Sequence, residues 1–125
     1  MGEQIRWGVL GSANIARKSV IPGIQQSERG TVTAIASRNE SKAQETAEEL
    51  GIDKAYGSYE ALLADPEIDA VYIPLPNHLH KEWTLRAARA KKHVLCEKPI
   101  ALTAAEAAEM VNVCAEEGVR LAEAF

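Results

Sequence analysis

The sequence is poor in cysteine and has no surplus of positive charge. Cys96 and Cys114 are its two cysteines, at a separation that matches no metal-ligand spacing, and they read as reduced, buried small hydrophobes rather than a disulfide framework. His78, His80 and His93 have no companion cluster of other ligand types in the sequence, which argues against a structural metal. Lys and Arg number 14 against 18 Asp and Glu, a net charge of −4. That balance excludes nucleic acid as the main partner, so any phosphate recognition has to be local. No apolar run is long enough to span a bilayer, and Met1 to Arg6 lack the basic stretch and apolar segment of a secretory leader. A soluble, cytoplasmic protein with no membrane partner is the expectation. No repeat, low-complexity stretch or linker interrupts the 125 residues, which suit one domain over 1–125.

What is present is an alternation. Ile5 to Leu10 is a short apolar run of strand formers that ends at Gly11, where the chain can turn without steric cost. From Asn14, the residues Ile15, Val20, Ile21 and Ile24 recur at helical spacing, and Pro22 with Gly23 should kink or shorten the last turns. Thr31 to Ser37 is a β-branched second strand, and Asn39 to Leu50 carries strong helix formers up to Gly51. A short strand near Lys54 to Gly57 and a short helix from Ser58 to Ala64 precede the Asp65-Pro66 break. Ala70 to Leu75 reads as a buried strand whose pairing weakens at Pro74, so Pro74 to His78 opens into a loop. His80 to Ala90 is helical and His93 to Cys96 is a fifth strand. Thr103 and Glu106 have capping-box spacing at the head of a helix ending at Gly118. Val119 begins a sixth strand, and the stop at Phe125 without a polar tail reads as a cut end. Six strands alternating with helices predict an α/β fold: a doubly wound, mainly parallel Rossmann sheet with helices on both faces.

Gly11-Ser12-Ala13-Asn14-Ile15-Ala16 lies between the first strand and first helix and matches G-x-G-x-x-G/A, with Ala at the second and third small positions. Gly11 permits the turn, Ala13 keeps the backbone near a pyrophosphate, and Ala16 lets the helix approach the strand. Free N–H groups at the helix start then receive the anion. Gly11, Ser12, Ala13, Asn14 and Ile15 are the phosphate-binding candidates, against the plainer reading of a tight turn without ligand. A domain selective for NAD carries an acidic residue about 20 positions further on, for the ribose 2′-hydroxyl. Here that place holds Ser37-Arg38, with Lys42 about one helical turn beyond. No carboxylate repels a 2′-phosphate, so NADP fits better than NAD; a solvated arginine without a ligand is the alternative.

Open parallel sheets bind ligands beyond the carboxyl ends of their strands. That rule singles out Pro74-Leu75-Pro76-Asn77-His78-Leu79-His80 after the fourth strand and Glu97-Lys98-Pro99 after the fifth. Lys98 is a candidate proton donor or electrostatic partner at a hydride site, because a lysine in a desolvated cleft gives up its proton more readily. Glu97 is expected to position it, and a surface Glu-Lys pair is the alternative. His78 and His80 have a capping or solvent-facing reading beside a catalytic one. Whether the Lys98-Pro99 bond is cis stays open.

In order, the segments GVLGSANIA, ASR, IPLPNHLH, CEKPIALT and EAF make the whole chain resemble the Gfo/Idh/MocA family of oxidoreductases. Trp7 and Ser37-Arg38 are most similar to its sugar and dihydrodiol dehydrogenase branch. The resemblance implies hydride transfer between nicotinamide and a CH–OH or C=O group of a sugar, polyol or related small molecule. Lys98 then matches the catalytic lysine, Glu97 a nicotinamide-side carboxylate, and Asn77 and His80 the Pro-Asn-x-x-His loop near the cofactor. Lys98, Glu97 and His80 are thus the catalytic candidates, and Pro76, Asn77, His80, Glu97 and Lys98 join the cofactor-binding set. The resemblance further implies a second α+β domain with the substrate pocket, a further histidine and the sheet used for dimerisation. The 125 residues alone are accordingly expected to bind NADP and to turn over little. A non-catalytic dinucleotide-sensing module is the alternative from another class, and the Glu-Lys-Pro turn speaks against it.

Overall fold

A computed structural model describes residues 4–12 and 20–124. Strand β1 (Ile5–Leu10) runs between β2 (Gly30–Ala36) and β4 (Ala70–Ile73), parallel to both. β3 (Lys54–Tyr56) extends one flank, and β5 (His93–Cys96) and β6 (Leu121–Glu123) extend the other. The result is one six-stranded parallel sheet in the order β3-β2-β1-β4-β5-β6. Strand order reverses between β1 and β4, and a crevice opens there at the carboxyl ends.

Helices α1 (Ile21–Gln26), α2 (Glu40–Leu50), α3 (Tyr59–Leu63), α4 (His80–Arg89) and α5 (Ala104–Glu117) connect the strands. Parallel neighbours need right-handed crossovers, and the chain first moves one way from β1 and then back across it, so the helices divide between the two faces. The side chains divide with them, because neighbours along a strand point to opposite sides. Val9, Val32, Ile35 and Tyr72 meet Ile21 and Ala47 on the α1/α2 side, whereas Leu10, Ala34, Ile73 and Cys96 meet Leu62 and Trp83 on the other.

Local chemistry accounts for the ends of the elements. Asn39, Ser58 and Thr103 each accept a hydrogen bond from an amide three residues on, at the heads of α2, α3 and α5. Gly51 and Gly118 close α2 and α5 with φ of 71° and 73°. The Glu106 carboxylate accepts from the amide of Leu102, one residue ahead of the cap, at 3.0 Å. β4 stops at Ile73, as the missing donor of Pro74 demands. β2 ends one residue before Ser37, whose amide still donates to the carbonyl of Tyr56 at 3.0 Å.

Pro22 stands in the first turn of α1 as described, and Val20 before it already has helical backbone angles; the helix whose last turns Pro22 is expected to kink or shorten reaches back into residues outside the described ones. The expected helix from Asn14 to Ser19 lies outside the described residues. Among the described residues, no helix is long and apolar enough to cross a membrane.

Candidate functional site

Gly11 ends β1 with φ of 110°, a conformation that side-chain-bearing residues avoid. Its amide donates to the carbonyl of Ala36 at 2.7 Å. A Cβ placed on it would stand 3.2 Å from Cδ2 of Leu75, so the glycine lets the loops after β1 and β4 approach across the switch point. Ser12 follows at the mouth of a cleft of ≈ 410 Å³, bounded across the crevice by Ser37, Arg38, Lys42 and Pro76. Ala13, Asn14 and Ile15 lie outside the described residues.

The turn after β2 is built from its own polar groups. Ser37 is buried, and its hydroxyl accepts from the amide of Asn39 at 3.2 Å. The Asn39 side chain in turn accepts from the amide of Lys42 at 3.2 Å. These two bonds set Arg38 and the first turn of α2 against the cleft. Arg38 and Lys42 are exposed, and neither side chain has an acidic partner among the described residues. None of the described residues lining the cleft is acidic, so an anion entering it meets two uncompensated cations.

The loops after β4 and β5 are joined from beneath. Pro76 and Asn77 are exposed, and a short 3₁₀ turn, Asn77–Leu79, leads into α4. His78 faces solvent. His80 is neither a cap nor solvent-facing: it is fully buried, with Nε2 2.7 Å from the carbonyl oxygen of Leu75 and Nδ1 2.7 Å from that of Pro99. A carbonyl oxygen only accepts, and a ring nitrogen donates only when it carries a proton, so the tautomer decides which loop receives the hydrogen bond while the ring lies against both. Its contacts run to the backbone of the two loops and not into the cleft.

Lys98 is exposed at the end of β5, and the Lys98-Pro99 bond is cis. Among the described residues, Lys98 and Glu97 form no ion pair. Successive side chains leaving a strand point to opposite sides, which separates the two. Glu97 instead accepts a short hydrogen bond at Oε2 from the hydroxyl of Tyr72. Tyr72 is absent from the residues expected from sequence. A signal for it exists: a tyrosine within an otherwise aliphatic buried strand needs a partner for its hydroxyl. Burial pushes the Tyr72 phenol well above the ordinary tyrosine range, and the neighbouring Glu97 carboxylate pushes it further. Beside it, burial lifts the Cys96 thiol to about 12, so that cysteine is no nucleophile.

A larger hollow of ≈ 730 Å³, with Trp7, Leu95 and Ala122 in its wall, lies toward the amino ends of β1, β4 and β5. Its wall is mostly apolar and it lies away from the carboxyl ends of the strands, where Gly11 and Arg38 line the smaller cleft, so that cleft is the candidate site.

Residues 5–125 match the oxidoreductase family with an NAD-binding Rossmann fold, Gfo/Idh/MocA. The chain is 56% identical over 119 residues to D-xylose 1-dehydrogenase (NADP(+)) 2 of Haloferax volcanii, covering 95% of this chain and 36% of the relative. Over 116 residues it is 47% identical to 1,5-anhydro-D-fructose reductase of Ensifer adhaerens, covering 93% of this chain and 34% of that protein. Among solved structures, the 3-ketoreductase KijD10 of Actinomadura kijaniata, crystallised with NADP, superposes with a TM-score of 0.94 at 42% identity. That match covers 98% of this chain and 39% of KijD10. The chain therefore spans about a third of the length of the proteins it matches.

Proposed function

We propose, for a chain that belongs to the Gfo/Idh/MocA oxidoreductase family with its NAD-binding Rossmann fold, that it binds NADP across the carboxyl edge of its sheet. We infer that it is the cofactor part of an enzyme acting on a CH–OH or C=O group of a sugar, polyol or related small molecule. The observation that carries the reading is the cleft beside Ser37, where Arg38 and Lys42 stand without acidic partners among the described residues and no acidic residue lines the described wall. KijD10, crystallised with NADP, and a relative named as an NADP-dependent xylose dehydrogenase support the choice of cofactor and substrate class.

The residues divide the work by position. Ser37, Arg38 and Lys42 hold the 2′-phosphate, with the Arg38 guanidinium also placed to stack on adenine. Gly11 and Ser12, with Ala13, Asn14 and Ile15, carry the pyrophosphate. Pro76 and Asn77 border the middle of the dinucleotide, and Glu97 and Lys98 stand at its nicotinamide end. When bound, the dinucleotide supplies or accepts the hydride. Lys98 transfers the matching proton at the substrate oxygen, a role open to an exposed ammonium with no partner among the described residues. His80, hidden beneath both loops, acts as a positioning residue that sets the Lys98-Pro99 turn against the β4 loop. Turnover requires substrate-binding groups from a further domain, in keeping with relatives about three times as long.

Energy transfer from the tryptophans to added NADPH tests the reading. The chain should show saturable quenching that ends at one equivalent of NADPH, and Arg38→Ala should weaken it by about tenfold. A chain that leaves NADPH fluorescence and its own tryptophan emission unchanged is not a cofactor domain.

A further inference from the structure

Tyr72 is fully buried in β4, and hydride transfer as described makes no use of it. Its ring packs in the α1/α2-side core, and its hydroxyl reaches the end of the neighbouring strand to donate to Oε2 of Glu97. The pairing follows from the sheet. Tyr72 stands opposite Leu95 in the parallel ladder, so Glu97, two residues further on, leaves the same face one step nearer the carboxyl edge. The Glu97 backbone is fixed as well, its amide donating to the carbonyl of Ile73 at 3.1 Å. A buried phenol beside a carboxylate stays neutral, so the bond has one direction: Tyr72 donates and Glu97 accepts. One carboxylate oxygen is thereby held, and Oε1 has no donor among the described residues.

We propose that Tyr72 is a positioning residue: it holds the Glu97 carboxylate so that Oε1 stays open to accept from the carboxamide N–H of the bound nicotinamide. This rests on the NADP reading above and deepens it. A glutamate free to rotate would lose side-chain freedom when the ring arrives, whereas one held beforehand loses less. The Tyr72 hydroxyl therefore contributes to affinity for the nicotinamide half of the dinucleotide and not to affinity for the adenosine half.

Tyr72→Phe keeps the ring and removes the donor. The test is calorimetric titration of wild type, Tyr72→Phe, Glu97→Ala and the double variant with NADP and with adenosine 2′,5′-bisphosphate, which lacks nicotinamide. Tyr72→Phe should weaken NADP about five- to tenfold and leave the bisphosphate unchanged. In the double variant it should add nothing to the loss from Glu97→Ala, since one interaction cannot be lost twice. Equal weakening of both ligands, or losses that multiply, overturns the proposal. Bisphosphate binding to wild type no tighter than 5′-AMP marks failure of the NADP reading instead. The Tyr72–Glu97 tie is then read without cofactor, from the hydroxyl proton resonance missing in Tyr72→Phe. Glu97→Ala must move that resonance upfield, and a resonance that stays in place overturns the positioning role.

Discussion

Asp65, at the foot of α3, collects donors from three directions. The Tyr56 hydroxyl lies 2.6 Å from its carboxylate, the Lys54 ammonium 2.9 Å and the Glu67 amide 2.8 Å. Burial alone would raise its pKa, but these hydrogen bonds together hold it at about 2. A folded-state value below the unfolded one, about 3.9, means stability present above that value and lost as pH falls through about 2. Thermal melts of wild type between neutral pH and this window should therefore drop more steeply with acid than those of Asp65→Asn. Parallel acid limbs would show that the carboxylate carries no such linkage. Asp65→Ala should cost about 2 kcal/mol at neutral pH, because it leaves the Tyr56 hydroxyl without its acceptor and Lys54 with Glu67 alone. Sequence reading sees only the break at Asp65-Pro66. The three donors come from a strand and a turn whose approach is a product of folding, and no spacing announces them. Arg38 is the opposite case: its role follows from its place after the second strand, a place that the alternation of elements makes countable.

Among the elements, the turn at Gly11 and the pair of loops over His80 decide the shape of the cleft. Gly11→Ala would combine a backbone φ of 110° with a Cβ only 3.2 Å from Leu75. The expected cost is about 1–2 kcal/mol of stability, together with a loss of NADP affinity of at least about tenfold, read by denaturant unfolding and calorimetry. His80→Ala removes the ring whose nitrogens lie 2.7 Å from the carbonyls of Leu75 and Pro99. It should speed amide exchange in the loops on either side, residues 75–79 and 97–100, before it affects β1 or β2. Exchange that rises evenly through the sheet would show that His80 is only one more core residue. The elements themselves are largely legible, because their signals are local: β-branched runs, capping residues, Gly51 and Gly118 after their helices, and Pro74 at the end of β4.

At the scale of the molecule, the strand order β3-β2-β1-β4-β5-β6 gathers four turns, distant in sequence, along one edge. Gly11, Ser37-Arg38, Pro76-Asn77 and Glu97-Lys98 are isolated signals along the sequence. The rule that ligands gather at carboxyl ends is what made them one site on paper. Contacts between elements distant in sequence are not legible in it: Tyr72 with Glu97, and His80 with the carbonyls of Leu75 and Pro99. These depend on register and on side-chain reach, which no linear pattern encodes. On the proposed reading, chemistry on a substrate draws on groups beyond these residues, whereas cofactor choice rests with Ser37, Arg38 and Lys42. Calorimetric titration of the wild-type chain with NADP and with NAD under identical conditions measures that property directly. Affinity for NADP at least about tenfold tighter than for NAD, narrowed by Arg38→Ala, is the predicted result; equal affinities or a preference for NAD would contradict it.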